Sequence, residues 1–153
     1  MKHALIITPR PILYQEGEQM TPDGRYIIAV DFDGTIITGN NWPDVIGEPR
    51  INLINNLIRE RKNGNRVILN TCRCGEHLQA AVGYCKGYGL EFDAVNENLP
   101  ELVKAYGSDS RKISADIYID DHACHPDYFS WSFMNEFGMS ITDDHKYRKG
   151  ERK

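Results

Sequence analysis

Tyr26-Ile27-Ile28-Ala29-Val30, followed at once by Asp31-Phe32-Asp33-Gly34-Thr35, is the stretch that decides the fold. A short apolar run with β-branched residues reads as a buried strand, and two carboxylates separated by one residue stand where that strand should end. In an open α/β sheet, the crevice beyond the carboxyl ends of the strands is the default ligand site. Strand spacing sends Asp31 and Asp33 to opposite faces, but a turn at Gly34 lets Asp31 present its carboxylate together with nearby backbone oxygens. Such hard oxygen donors suit a magnesium ion, which also helps neutralise a phosphoryl substrate. An ordinary acidic turn after a strand carries the same short pattern, so the remainder of the chain has to decide between the two.

Working outward, Ile51, Ile54, Leu57 and Ile58 recur at helical spacing within residues 50 to 62, and Asn63-Gly64 stops the pattern. A second parallel strand is expected at Arg66-Val67-Ile68-Leu69, ending in Asn70-Thr71-Cys72-Arg73. Leu78, Ala81, Val82 and Cys85 mark a further helix that closes near Gly87-Tyr88-Gly89. Phe92-Asp93-Ala94-Val95 is a short strand candidate, Pro100 opens a helix over residues 100 to 106, and Gly107-Ser108-Asp109-Ser110 reads as a loop. After Lys112, Ala115-Asp116-Ile117-Tyr118-Ile119 completes another buried-strand pattern and runs into Asp120-Asp121. The alternation predicts an α/β fold: a three-layer α/β/α, Rossmann-like sandwich with a mainly parallel sheet.

Asp31-Phe32-Asp33-Gly34-Thr35 resembles the first motif of the haloacid dehalogenase superfamily, and the later stretches follow its motif order. Val67-Ile68-Leu69-Asn70-Thr71 is similar to the second motif, Lys112 to the third, and Ile117-Tyr118-Ile119-Asp120-Asp121 to the fourth. The resemblance covers most of residues 26 to 121 and looks closest to small phosphatase-like members with a Thr-Cys-Arg stretch after the second strand. It implies a capless phosphatase in which Asp31 is the nucleophile that forms an aspartyl-phosphate, and Asp33 is the acid/base. It further implies that Thr71 and Lys112 support the phosphoryl oxygens, and that Asp31, Asp33, Asp120 and Asp121 supply the Mg2+ site. Gly34, Asn70, Trp42 and Arg73 join Thr71 and Lys112 as expected substrate-side residues, Arg73 because its planar donor array engages oxygens bidentately. His77 and His122 are weaker pocket candidates. The segment Ile36 to Asp44 corresponds to the squiggle and flap that gate the site in that superfamily.

The expected substrate is a small phosphorylated metabolite such as a phosphosugar or nucleotide. Phosphoprotein or nucleic-acid-end phosphatase activity is the enzymatic alternative, since no interval is long enough for a large cap. A non-enzymatic signalling protein is the alternative from another class, because receiver domains also combine an acidic metal site with a phosphorylatable aspartate.

At 153 residues the chain fits one domain with a substantial core. A formal net charge of -4 gives no sign of a broad nucleic-acid-binding surface. No stretch is long or apolar enough to span a membrane, and the charged, proline-interrupted beginning does not look like a secretory signal, so a cytoplasmic location is expected. Residues 1 to 25 read as an N-terminal extension or edge element, with candidate strands at Ala4-Leu5-Ile6-Ile7 and Ile12-Leu13-Tyr14. Residues 26 to 145 are the expected catalytic domain and 146 to 153 a basic tail. Tyr128, Phe129, Trp131, Phe133, Met134 and Phe137 suit either packing on the sheet or a homo-oligomer contact. Cys72-Arg73-Cys74 lacks redox C-x-x-C spacing, and separate thiols are favoured over a soft-metal site with His77, His122 and His125.

Overall fold

The computed structural model describes residues 25–39, 42–44 and 47–123. The strands expected near 4–7 and 12–14, the aromatic segment at 128–137 and the basic end lie outside the described residues. By compactness the chain divides into Met1–Asp121 and His122–Lys153, and the fold described here is that of the first unit.

Four strands, β1 (Ile27–Val30), β2 (Arg66–Leu69), β3 (Ala94–Val95) and β4 (Ile117–Ile119), form a parallel sheet in the order β3-β2-β1-β4. Three helices connect them: α1 (Ile51–Lys62), α2 (Gly75–Gly87) and α3 (Pro100–Tyr106). The chain builds outward from β1 through β2 to β3, then returns to place β4 on the other side of β1. That reversal creates a topological switch point beside β1, and the crevice past the strand ends is where open α/β sheets hold ligands.

Burial on both sides explains why the strands are continuously apolar. Ile28, Val30, Val67 and Leu69 pack with Ile54 and Leu57 of α1 and Ala81 and Cys85 of α2. The alternate residues Ile27, Ala29 and Ile68, with Ala94, pack with Leu99, Leu102 and Ile113 around α3. Each fully buried Ile, Leu or Val contributes about 1.5–3 kcal/mol of transfer free energy, so these two clusters dominate the fold's stability.

The helix ends follow local chemistry. In α1 the last turn carries Arg59, Arg61 and Lys62, whose charges oppose the carbonyl end of the helix dipole. Pro100 occupies the first turn of α3, where its missing N–H costs nothing. Gly107 ends α3 in the left-handed conformation with its N–H donating to Val103 O at 2.9 Å. Burial pushes the Cys85 thiol on α2 up to about 12, so this cysteine behaves as core rather than as a nucleophile. No helix among the described residues is long and apolar enough to cross a membrane.

β3 and β4 are shorter than their sequence patterns. Asp93 lies just before β3, its N–H donating to Val67 O and its carboxylate accepting the Val67 N–H, both at 2.8 Å. Asp116 likewise precedes β4 and accepts the Ile27 N–H at 2.7 Å. Both acids satisfy backbone donors at the amino end of the sheet that would otherwise lack partners.

Candidate functional site

The β1–β4 ladder continues into the site: the Asp31 N–H donates to Ile119 O at 2.9 Å, directly before Asp120 and Asp121. Asp31 and the Asp120-Asp121 pair are thereby brought to adjacent strand ends. Among the described residues, Asp31, Asp120 and Asp121 are the group whose ligand atoms come close enough to share a cation, all within 4.8 Å of one another. Asp33, expected among the ligands, is not part of it. Cys72, Cys74 and His77 form no such group either, and both thiols are exposed and free.

The turn after β1 fixes this arrangement. Phe32 is buried in the core and meets Tyr84 edge-on, with ring centroids 5.9 Å apart. Ile37 N–H donates back to Phe32 O at 3.1 Å, closing one wide turn, and Gly34 within it has φ +74°. A Cβ at Gly34 would overlap the Asp121 carboxylate, so the close approach needs glycine for space as well as for conformation. Thr35, also buried, accepts the Asp121 N–H at 3.1 Å, and its hydroxyl lies 3.4 Å from Asp121 Oδ1. It therefore orients Asp121. Gly39 O accepts the Gly34 N–H, and Ile37 bridges Pro49 in antiparallel fashion just before α1.

Asp31 has a perturbed carboxyl. Burial pushes its carboxyl up to about 6, the charges of Asp120, Asp121 and Asp33 push the same way, and a hydrogen bond from the Phe32 backbone opposes them. Burial and mutual repulsion disfavour full ionisation of three clustered carboxylates, and a shared cation would favour it. The donors are all carboxylate oxygens, the hard type that magnesium prefers, and the residues present therefore fit that ion.

The second-strand residues sit differently from expectation. Arg73 is 1% exposed, with most of its donors engaged. Its Nε and Nη2 donate to the two Asp33 carboxylate oxygens at 2.8 and 2.7 Å. Thr71 lies at the same edge, with its hydroxyl accepting the Arg73 N–H at 3.2 Å, which leaves the hydroxyl proton available to another oxygen. Asn70 is tied to β1 through its N–H to Val30 O at 2.9 Å. Trp42 is 52% exposed, tilted over His77 at 4.6 Å between centroids, with the Arg73 guanidinium 5.3 Å from its ring.

Lys112 is not brought to Asp31. Its Nζ lies over the Tyr118 ring, 5.6 Å from the centroid. The loop carrying Lys112 is organised by buried Asn98, whose Nδ2 donates to Asp109 Oδ1 and Ser110 O and whose Oδ1 accepts the Ser114 N–H. His122 begins the second unit and is exposed.

Two residues that sequence reasoning passed over hold the site together. Asn96 has φ +54°, accepts the Thr71 N–H at 2.8 Å and donates to Arg73 O at 3.0 Å. Arg50, just before α1, donates to Gly34 O at 3.3 Å. The available signal for Asn96 was its place after a strand, where asparagine tolerates the left-handed region; nothing local marked Arg50.

A parallel α/β sheet with a carboxylate group at the switch point beside β1 defines the class of protein. The chain is 35% identical to a conserved protein from Bacteroides thetaiotaomicron of solved structure, covering 79% of this chain and 98% of that one with a TM-score of 0.57. The two proteins belong to one family. No protein-family model and no curated protein matches the chain.

Proposed function

We infer that the protein is a magnesium-dependent phosphomonoester hydrolase of the haloacid dehalogenase type, acting through Asp31 on a small phosphorylated metabolite. The observation that carries this reading is the meeting of Asp31 with Asp120 and Asp121 at neighbouring strand ends, in the motif order described from sequence. Asp31, Asp120 and Asp121 would hold the ion, which when bound would shield the charge between the nucleophile and the phosphoryl oxygens.

One Asp31 oxygen attacks phosphorus as the ester P–O bond breaks, and the phosphoryl group passes to the carboxylate. Asp33, two residues on, gives its proton to the departing oxygen and then takes one from the water that hydrolyses the aspartyl-phosphate. Thr71 donates its hydroxyl to a phosphoryl oxygen from the end of β2. Asp121 owes its orientation to Thr35 and to the space left by Gly34. Lys112, packed on Tyr118, has no part in this minimal set.

Phosphate release from a panel of phosphomonoesters, with and without magnesium, tests the reading. Turnover is expected with magnesium, is expected to disappear on chelation, and should fall by about 10³-fold or more in Asp31→Asn. No turnover on any monoester, combined with no binding of a phosphate analogue, would sink the proposal.

A further inference from the structure

Among the described residues Arg73 is the most deeply buried charge, and its bonding is too complete for a substrate ligand. A buried guanidinium is costly unless its donors are paired. Beyond the bidentate pair with Asp33, Nη1 donates to Pro43 O at 3.0 Å and Nη2 to Asp44 O at 2.9 Å. Four of the five N–H donors of an arginine are thereby used. The Phe32 ring lies 5.1 Å away and the Trp42 ring 5.3 Å. The backbone is pinned as well, by Thr71 on one side and Asn96 on the other. Asp33 keeps 18% of its side-chain surface, and each of its oxygens retains lone-pair capacity beyond the bond to Arg73.

We propose that Arg73 is a positioning residue for leaving-group chemistry: it holds the Asp33 carboxylate in one orientation and ties it to the Trp42-Pro43-Asp44 segment. The inference rests on the phosphoryl-transfer reading of the site. Through Arg73, Asp33 is fixed relative to the Pro43 and Asp44 carbonyls, so a leaving oxygen that needs a proton meets it in one geometry. Esters with poor leaving groups depend on that geometry. Aryl esters with good leaving groups depend on it far less.

The test compares p-nitrophenyl phosphate with an alkyl phosphate in the presence of magnesium. Arg73→Lys keeps the charge but not the bidentate fork. It is expected to lower kcat on the alkyl ester by about 10²-fold, the size of a general acid–base contribution, with a loss at least about tenfold smaller on the aryl ester. KM should change little on either substrate. In an Asp33→Asn background, Arg73→Lys should add less than about threefold on the alkyl ester, because residues acting through one another are not additive. If Arg73→Lys fails to fold, Asp33→Asn/Arg73→Met, which neutralises both partners, is compared with Asp33→Asn alone and is expected to match its kcat within the same factor.

A raised KM with unchanged kcat would make Arg73 a substrate ligand and overturn the inference. Equal losses on both esters, or additive losses with Asp33→Asn, would do so too. Wild-type protein inactive on both esters overturns the underlying reading and the inference with it, whereas active wild type with a leaving-group-independent variant overturns the inference alone.

Discussion

The two ends of the parallel sheet treat their carboxylates in opposite ways. At the amino end, Asp93 accepts the Val67 N–H and pairs with Arg61 at 3.1 Å and Arg66 at 3.4 Å. Burial works to raise its carboxyl, but hydrogen bonds from Arg61 and Val67 together with both arginine charges outweigh it and hold the group below its ordinary range. At the carboxyl end, Asp31 is also desolvated, yet its nearest charges are other carboxylates, and its carboxyl is pushed up to about 6. Asp93 is surrounded by donors. Asp31 has the Phe32 backbone hydrogen bond set against burial and three neighbouring carboxylates, the surroundings that a bound cation would relieve under the proposed function.

Gly34→Ala should break the carboxyl end most severely. The positive φ and the overlap with Asp121 add, and we expect about 2–3 kcal/mol of destabilisation, read as a lower urea midpoint, with loss of any stabilisation by magnesium. An unchanged midpoint would show that Asp121 does not need that close approach.

Asp93→Asn tests the amino end, with an expected cost of about 1–2 kcal/mol at neutral pH. Because the folded carboxyl is held down, its contribution is complete above the ordinary value of 3.8 and is lost as pH falls through the lower folded value. Wild-type and variant stabilities should therefore converge in acid, as measured by urea unfolding from pH 7 to pH 2. Parallel curves would contradict the role assigned to the arginine pair.

Asp31→Asn should have the smallest effect on stability and the opposite sign. Its raised carboxyl makes the folded state bind a proton more tightly than the unfolded chain, so the ionised form carries a penalty that is complete above about 6 and absent below 3.8. Discounted for its half-exposed position, the gain for the variant is about 1 kcal/mol at pH 7.5 without metal. Melting temperatures should reverse on adding magnesium, which stabilises wild type alone. A variant less stable than wild type in chelator would erase the contrast between the two ends.

Element by element, the fold was legible where burial follows a simple period. β2 occupies Arg66–Leu69 and α3 occupies Pro100–Tyr106, the spans their patterns predict, because apolar runs, a first-turn proline and a terminal glycine act locally. At the starts of β3 and β4 a non-local element was not legible: the Asp93 and Asp116 carboxylates accept N–H groups 26 and 89 residues away, taking the place of backbone carbonyls. The same distinction runs through the site. Asp31, Asp120 and Asp121 could be placed together because each ends a strand and strand ends converge. Arg73 could not, since its choice of Asp33 over a substrate oxygen depends on a partner 40 residues earlier and on the carbonyls of Pro43 and Asp44.

By itself, then, the sequence determined the strand–helix alternation, the parallel sheet and that Asp31, Asp120 and Asp121 gather past its strands, because hydrophobic period and turn chemistry are properties of neighbouring residues. Tertiary structure alone decided how charge is distributed among them. Desolvation and partnering are set by what the fold brings within a few ångströms: donors for Asp33 and Asp93, fellow carboxylates for Asp31, and an aromatic ring for Lys112.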